Sequence, residues 1–253
     1  MRTIYRPEGR AAEYSHLAIN IYNGCDHNCR YCYVSKMPQW RGKDFFKTPA
    51  KPREGLLAAL TKEAPKYAGT DERVLLCFSC DPYIPAELEH RLTSDVIKIL
   101  SEHKIPFQVL TKAGTVAARD FKFYGPDDLY AVTMTTLKRQ ISRNIEPGAA
   151  IPESRILSLR LAKLVKIKTW LSLEPVLDAA ESLEIIRQTH KLVDLYKIGI
   201  LNYESNEIDW RKFGRDAIAL CRELGKDYFI KADLAKYLDG IPFTNTDNRR
   251  AKK

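Results

Sequence analysis

Three of the chain's six cysteines fall within eight positions, in NGCDHNCRYCYV, residues 23–34. They are Cys25, Cys29 and Cys32, spaced C-x3-C-x2-C. Cysteines so clustered are a metal site, a redox relay or a packing accident. A structural zinc site takes four ligands in a tetrahedron, mostly Cys and His. His27 supplies a fourth ligand by type, but it would share one tight loop with its neighbours. An iron–sulfur cluster held by protein alone also usually takes four ligands. Three thiolates on one loop leave one iron of a cubane cluster open. An open position is where a small molecule can be bound and activated.

Such a loop needs a frame. The 253 residues fit one large α/β domain or two small ones, and 45% hydrophobic content supplies a sizeable core. Short β-rich runs alternate with longer amphipathic segments. The expected strands are HLAINIY (16–22), RVLLCFSC (73–80), FQVLTK (107–112), LYAVTMTT (129–136), KTWLSLEPV (168–176) and LYKIGIL (195–201). Most are near-continuous apolar runs, as suits parallel strands buried on both faces. Between them lie helical segments. LTSDVIKILSEHK spaces Leu92, Val96 and Leu100 by four, and PESRILSLRLAKLV opens on Pro152. SLEIIRQTHKLV follows the fifth strand, and DWRKFGRDAIALCRELG stops at Gly225. Strands alternating with helices imply βαβ units and a parallel α/β sheet. Six units imply an open or closed barrel, whose sites gather at the C-terminal ends of the strands. The three cysteines sit just beyond the first of those ends.

The longest apolar runs are too short for a membrane helix. The opening MRTIYRPEGRAAEYS lacks the apolar centre of a signal peptide. The expected address is the cytoplasm, where thiols stay reduced and clustered cysteines bind metals or catalyse. Forty-one Lys and Arg against thirty-two Asp and Glu give a net charge of +9. That balance suits a nucleic-acid partner, though many basic enzymes touch none. The segment 35–53 mixes Lys36, Arg41, Lys43, Lys47, Lys51 and Arg53 with Trp40, Phe45 and Phe46. Cations for phosphates, interleaved with aromatics for bases, are what a nucleic-acid surface uses. A solvated loop with its aromatics tucked onto the barrel is the plainer alternative. The expected division is an N-terminal arm (1–15), one βα domain (16–240) and a polar basic tail (241–253), with 244–253 expected to be disordered.

With Tyr31 and Tyr33 flanking Cys32 after the first strand, the motif resembles the radical S-adenosylmethionine (SAM) superfamily. DPYIPAE (81–87), VLTK ending at Lys112, and RNIEPGAAIPESRI (143–156) are similar to stretches of its spore photoproduct lyase-like subgroup. The resemblance covers roughly residues 16 to 201. It implies a (βα)6 partial TIM barrel with a parallel sheet. It implies a 4Fe-4S cluster on Cys25, Cys29 and Cys32, with the SAM amino and carboxylate groups on the fourth iron. Reductive cleavage of SAM would then yield a 5′-deoxyadenosyl radical that takes a hydrogen atom from the substrate. The implied electron donor is a reduced flavodoxin or ferredoxin. The implied substrate is a nucleic acid, DNA or RNA, for repair or base modification. A peptide or small-molecule substrate is the alternative. A zinc-stabilised nucleic-acid-binding protein without catalysis is the reading from another class.

The resemblance also assigns roles. Tyr33 would pack near the adenine of SAM, and Lys112, at the end of a buried strand, would meet the SAM carboxylate. Thr133 and Thr135, on one face by alternation with Thr136 on the other, would line the ribose and methionine. Glu174 is read from its place rather than from the resemblance: an acid at the tip of the fifth strand can hold the SAM amino group or a substrate donor. Asp81 and Glu87 border the same region, but the G-G-E triplet that many members carry there is absent. Cys80 matches a hydrogen-donating cysteine of spore photoproduct lyases. Cys77, three residues earlier on an expected strand, should face the other way. Cys77 and Cys221 read as core. Tyr33, Lys112, Glu174 and Cys80 each also fit an ordinary core or strand-end position.

Overall fold

The expected strands form in chain order, and each pairs with its sequence neighbour. The computed structural model describes residues 2–40, 44–201 and 207–251. Its strands are β1 Leu17–Ile19, β2 Tyr22–Asn23, β3 Lys51–Pro52, β4 Val74–Leu76, β5 Phe107–Thr111, β6 Leu129–Thr133, β7 Lys168–Leu173, β8 Leu195–Ile198 and β9 Asp227–Ile230. Seven make one all-parallel sheet in the order β1-β4-β5-β6-β7-β8-β9. The helices are α1 Leu56–Glu63, α2 Glu87–His90, α3 Leu92–Glu102, α4 Arg139–Ile145, α5 Pro152–Leu164, α6 Ala179–Thr189, α7 Trp210–Glu223 and α8 Ala232–Ala235. Gly225 ends α7 as expected: its φ of +63° is one that side chains resist, and its amide bonds the Arg222 carbonyl.

Two differences matter. A seventh parallel strand, β9, joins the six expected ones. Its four residues, DYFI, open on an exposed charge and are too short to stand out as an apolar run. The strand expected over 73–80 stops at Leu76, so Cys77 and Cys80 lie beyond it.

Alternation along the strands separates two cores. Leu17, Ile19, Leu76, Val109, Val132, Leu171 and Ile198 face the helices. Ala18, Leu75, Ala131 and Trp170 face the lumen with Tyr14, Phe78 and Phe229. Apolar residues on both faces are what covering a parallel sheet with helices demands.

Among the described residues β1 and β9 do not pair with each other, so the barrel is open along that edge. The two chain ends cover it. Tyr5 and Ala18 exchange both backbone bonds, at 2.9 and 2.8 Å. The Ala232 amide donates to Glu13 Oε1 at 2.6 Å, and Arg10 pairs with Asp233 at 2.5 Å.

The tail corrects the expectation of disorder through residue 251. Asn245 exchanges bonds with the Ile230 backbone, and the Thr246 amide donates to the Tyr228 carbonyl. Arg73 then binds the Asn248 carbonyl at 2.7 Å and that of Arg250. Composition hides this, because apart from the Asn245 side chain the tail bonds through backbone groups that any residue carries. Deleting residues 244–251 removes two acceptors of Arg73, a buried cation. The expected loss is about 1–3 kcal/mol, or roughly 5 °C in melting temperature for a domain of this size. Thermal melting followed by circular dichroism measures it, and an unchanged midpoint would deny the strap a stabilising role.

Candidate active site

The cysteine loop leaves the sheet after β1 and is fastened from two sides. On one side, the Ala50 amide donates to Asp26 Oδ1 at 3.0 Å, and β3 pairs antiparallel with β2. The basic aromatic segment 35–53 is therefore tied to the cysteine loop. Within it Trp40, Phe45 and Phe46 stack edge to face, Phe45 buried and Phe46 exposed. Arg41 and Lys43 lie outside the described residues.

On the other side stands the segment after α4. The Arg30 amide donates to the Ile145 carbonyl at 2.8 Å, and the Gly148 amide to that of His27 at 3.0 Å. Tyr31 Oη donates to Glu146. Arg155 Nη2 binds the same carboxylate at 2.6 Å, while Nη1 holds the Thr133 carbonyl at 3.0 Å. Glu146 and Arg155 are each only 1% exposed. Burial alone would raise the Glu146 carboxyl, but Arg155 holds it below its usual range, aided by Lys112 and Tyr31. Gly148 is needed for the approach: a Cβ there would lie 2.1 Å from the Asp26 carbonyl oxygen.

Lys112 follows β5 and faces the loop. Burial alone would lower its ammonium, but Cys29, Asp81, Glu146 and Cys25 raise it above its usual value. Burial pushes the Cys29 thiol up to about 11, with Lys112 acting against it. Asp81 ties the ends of β4 and β5 together. It accepts from the Lys112 amide (2.7 Å), Thr111 Oγ1 (2.7 Å) and the Tyr83 amide (2.9 Å). Glu87 is turned to structural work, accepting from Tyr22 Oη, the Thr93 amide and Arg119.

His27 does not join the cysteines. Its Nδ1 stands 3.4 Å from Asp81 Oδ2, and burial lowers its basicity. The zinc reading loses its fourth ligand. Among the described residues no three Cys, His, Asp or Glu side chains already stand in the array a metal ion needs. The donor chemistry nonetheless fits an iron–sulfur cluster: three free thiols on one doubly fastened loop, with a lysine facing two of them.

The other expected residues divide. Tyr33 begins a 3-10 turn, is 42% exposed, and its Oη donates to the Phe78 carbonyl at 2.8 Å. Thr133 ends β6 on the lumen-facing register of Ala131. The strand stops there, so alternation does not extend to Thr135, whose hydroxyl is 3.3 Å from Glu146 Oε1. Thr136 binds Glu181 at 2.9 Å. Glu174, past β7, accepts from Tyr14 Oη at 2.6 Å and from Lys231 Nζ. Gly199 leaves it room, since a Cβ there would lie 2.7 Å from Glu174 Oε1. Cys221 is buried core, as expected.

The lumen holds residues that the sequence reading passed over. Lys197 Nζ donates to the Glu13 and Tyr14 carbonyls at 3.0 and 3.1 Å, with the Tyr14, Trp170 and Phe229 rings 5.0–5.3 Å away. Burial pushes it down to about 7. A charged residue inside the apolar run LYKIGIL was the visible signal. Lys231 and Tyr14 gave none, because they follow an unexpected strand and precede the first expected one.

The radical SAM superfamily profile matches residues 19–193. The chain belongs to the radical SAM superfamily. Members of this superfamily use a 4Fe-4S cluster and SAM. Spore photoproduct lyase, as a cysteine variant, superposes with a TM-score of 0.68 at 11% identity, over 91% of this chain and 79% of that one. A spore photoproduct lyase with bound AdoMet and dinucleoside spore photoproduct gives 0.59 at 13% identity, over 83% and 61%. SuiB of Streptococcus suis bound to precursor peptide SuiA gives 0.64 at 13% identity, over 90% and 53%. At these identities the likeness is one of fold.

Among curated sequences, an uncharacterized protein of Mycobacterium tuberculosis is 27% identical over 180 residues. That alignment covers 66% of this chain and 52% of the relative, so the chain spans about half the length of its mycobacterial relatives. An uncharacterized protein of Methanocaldococcus jannaschii is 24% identical over 192 residues, 74% of this chain and 71% of the relative. Among the described residues no helix is long and apolar enough to cross a membrane.

Proposed function

We propose that the chain is a radical SAM enzyme whose cluster is held by Cys25, Cys29 and Cys32, and whose substrate is a nucleic acid, for repair or base modification. The supporting observation is the cysteine loop, latched by Glu146 and Gly148 and faced by Lys112. When bound, the reduced cluster supplies the electron that cleaves SAM to a 5′-deoxyadenosyl radical. A reduced flavodoxin or ferredoxin delivers that electron. The chain's own residues orient and shield. Lys112 meets the SAM carboxylate, Tyr33 offers its ring to the adenine, and Thr133 and Thr135 line the ribose and methionine. Glu174, set by Tyr14 and Lys231, takes a donor group of SAM or of the substrate from the far wall. Cys80 donates a hydrogen atom.

The neighbours carry a dinucleoside in one case and a peptide in another. Charge favours the nucleic acid: the chain is net +9, and a basic aromatic segment is tied to the cysteine loop.

Anaerobically reconstituted protein is expected to be brown, to carry iron and sulfide, and to release 5′-deoxyadenosine from SAM on reduction. Zinc without iron would overturn the enzyme reading. Affinity for single-stranded DNA, duplex DNA or RNA should fall steeply with salt, by a log–log slope of about −0.7 to −0.9 per phosphate contact. Binding that ignores salt, or that appears with peptides alone, would overturn the nucleic-acid reading.

A further inference from the structure

We propose that the outer face of α4 and α5 is the docking surface for the acidic protein that delivers the electron to the cluster. This rests on the radical SAM reading above and adds where the carrier binds and which side chains receive it.

Residues 138–168 hold eight Lys and Arg against two Glu, which is six of the chain's nine net positive charges. One cation and one acid cancel inside the fold, as the buried Arg155–Glu146 pair. Glu153, the one remaining acid of the stretch, is paired with Arg139 at 3.2 Å. That bridge, with the Arg155–Glu146 pair beneath it, ties α4 to the start of α5, so their outer sides form one surface. From outside the stretch, Asp194 meets Lys163 at 2.7 Å and Glu181 meets Lys138 at 3.9 Å. Arg143 and Arg160 are exposed, and their guanidinium groups make no hydrogen bond or ion pair among the described residues. Beside them stand Ile141, Leu157 and Leu164, 36%, 44% and 74% exposed. Leu157, Arg160 and Leu164 share one helix face by their spacing of three and four. Exposed apolar side chains ringed by arginines are what a protein–protein interface presents.

Position and charge name the occupant. The end of α4 lies against the cysteine loop: the Ile145 carbonyl takes the Arg30 amide, and Glu146 takes Tyr31 Oη. Arg30, in the loop itself, adds an exposed cation on this side. The loop's other flank carries the segment 35–53, and its inner side faces Lys112 and the lumen, which SAM and the substrate require. The α4 side is the approach left for a carrier. Residues 138–168 contain no Phe, Trp or Tyr, whereas 35–53 contains three. Stacked bases therefore find no ring on this face. A basic face steers an acidic carrier towards it and makes the association depend on salt. Redox encounters of this kind are small in area, so one short helix and the turns beside it suffice. One electron passes from the carrier, which is oxidised, to the cluster, which is reduced, and no bond forms or breaks.

The test compares two reductants on the same reconstituted protein. Dithionite is small and needs no docking surface, whereas a reduced acidic flavodoxin does. In Arg143→Glu/Arg160→Glu, iron content and dithionite-driven release of 5′-deoxyadenosine are expected to stay at the wild-type level. Release driven by flavodoxin at low salt is expected to fall about tenfold. The flavodoxin Kd, measured by isothermal titration calorimetry on the reconstituted protein, should rise by a similar factor. The difference should shrink as salt screens the charges. Leu157→Asp, on α5 and away from the cysteine loop, should weaken flavodoxin in the same way, which keeps the test decisive if the α4 substitution lowers iron. An unchanged flavodoxin Kd and rate in both variants would overturn the docking surface. Variants that keep flavodoxin-driven release but lose affinity for DNA or RNA would also overturn it, giving the face to the nucleic acid. Wild-type protein that releases no 5′-deoxyadenosine with dithionite would instead overturn the radical SAM reading, and the calorimetric Kd would still decide the docking surface.

Discussion

Arg155→Leu is expected to cost about 3–5 kcal/mol, because it leaves the buried Glu146 carboxylate without its cation. For a domain of this size that corresponds to roughly 10 °C or more in melting temperature. The guanidinium also binds the carbonyls of Ala150 and Thr133, at 2.8 and 3.0 Å, so the ends of β6 and α5 loosen with it. Glu146 in turn positions Tyr31 between Cys29 and Cys32. Iron retained per chain after anaerobic reconstitution is therefore expected to fall along with the midpoint. The double variant Glu146→Gln/Arg155→Leu removes both charges and is expected to recover part of the stability, as coupled sites do. Iron should remain low in the double variant, since a neutral amide grips Tyr31 less firmly than a carboxylate. A single variant with wild-type melting and iron would refute the latch.

Gly148→Ala is expected to act on the cysteine loop more selectively. The added methyl would overlap the Asp26 carbonyl oxygen and crowd the His27 Cα at 2.9 Å. Both are backbone atoms, so the loop itself must move. Overpacking of this kind costs about 1–3 kcal/mol. The larger effect should be on metal: the bond from the Gly148 amide to the His27 carbonyl lengthens, and the cysteines lose a fixed neighbour. Iron content and the charge-transfer absorbance of the reconstituted protein should drop several-fold while far-UV circular dichroism stays unchanged. Normal iron content would mean that the close approach does not set the site.

The frame was legible because buried parallel strands write themselves as apolar runs. Six of seven strands and four main helices followed from spacing alone. β9 escaped because its four residues bear a charge and only a short apolar stretch. The cysteine motif was legible because ligand spacing on one loop is local. Its supports were not, although Glu146 and Arg155 stood in a quoted motif. That these two residues hold Tyr31 depends on contacts between distant segments.

Alternation misled at two places, for one reason. It holds only while a strand continues. At Leu76 and at Thr133 the chain leaves the sheet, so Cys77 and Cys80 lie beyond β4, where alternation no longer orders them, and Thr135 turns to Glu146. The tail misled for another reason. Its polar composition reads as solvated, yet the Asn245 side chain pairs with the Ile230 backbone, and the tail's own backbone pairs with Tyr228 and Arg73.

Local order along the chain was thus enough for the fold class, the three-cysteine loop and its place beyond the first strand. Periodicity and ligand spacing are properties of neighbouring residues. The tertiary structure alone decided which cation faces the thiols, that His27 goes to Asp81, and that Tyr14, Glu174 and Lys231 meet across the lumen. Those pairings join residues up to 217 positions apart, and they exist only once the barrel has brought its strand ends to one mouth.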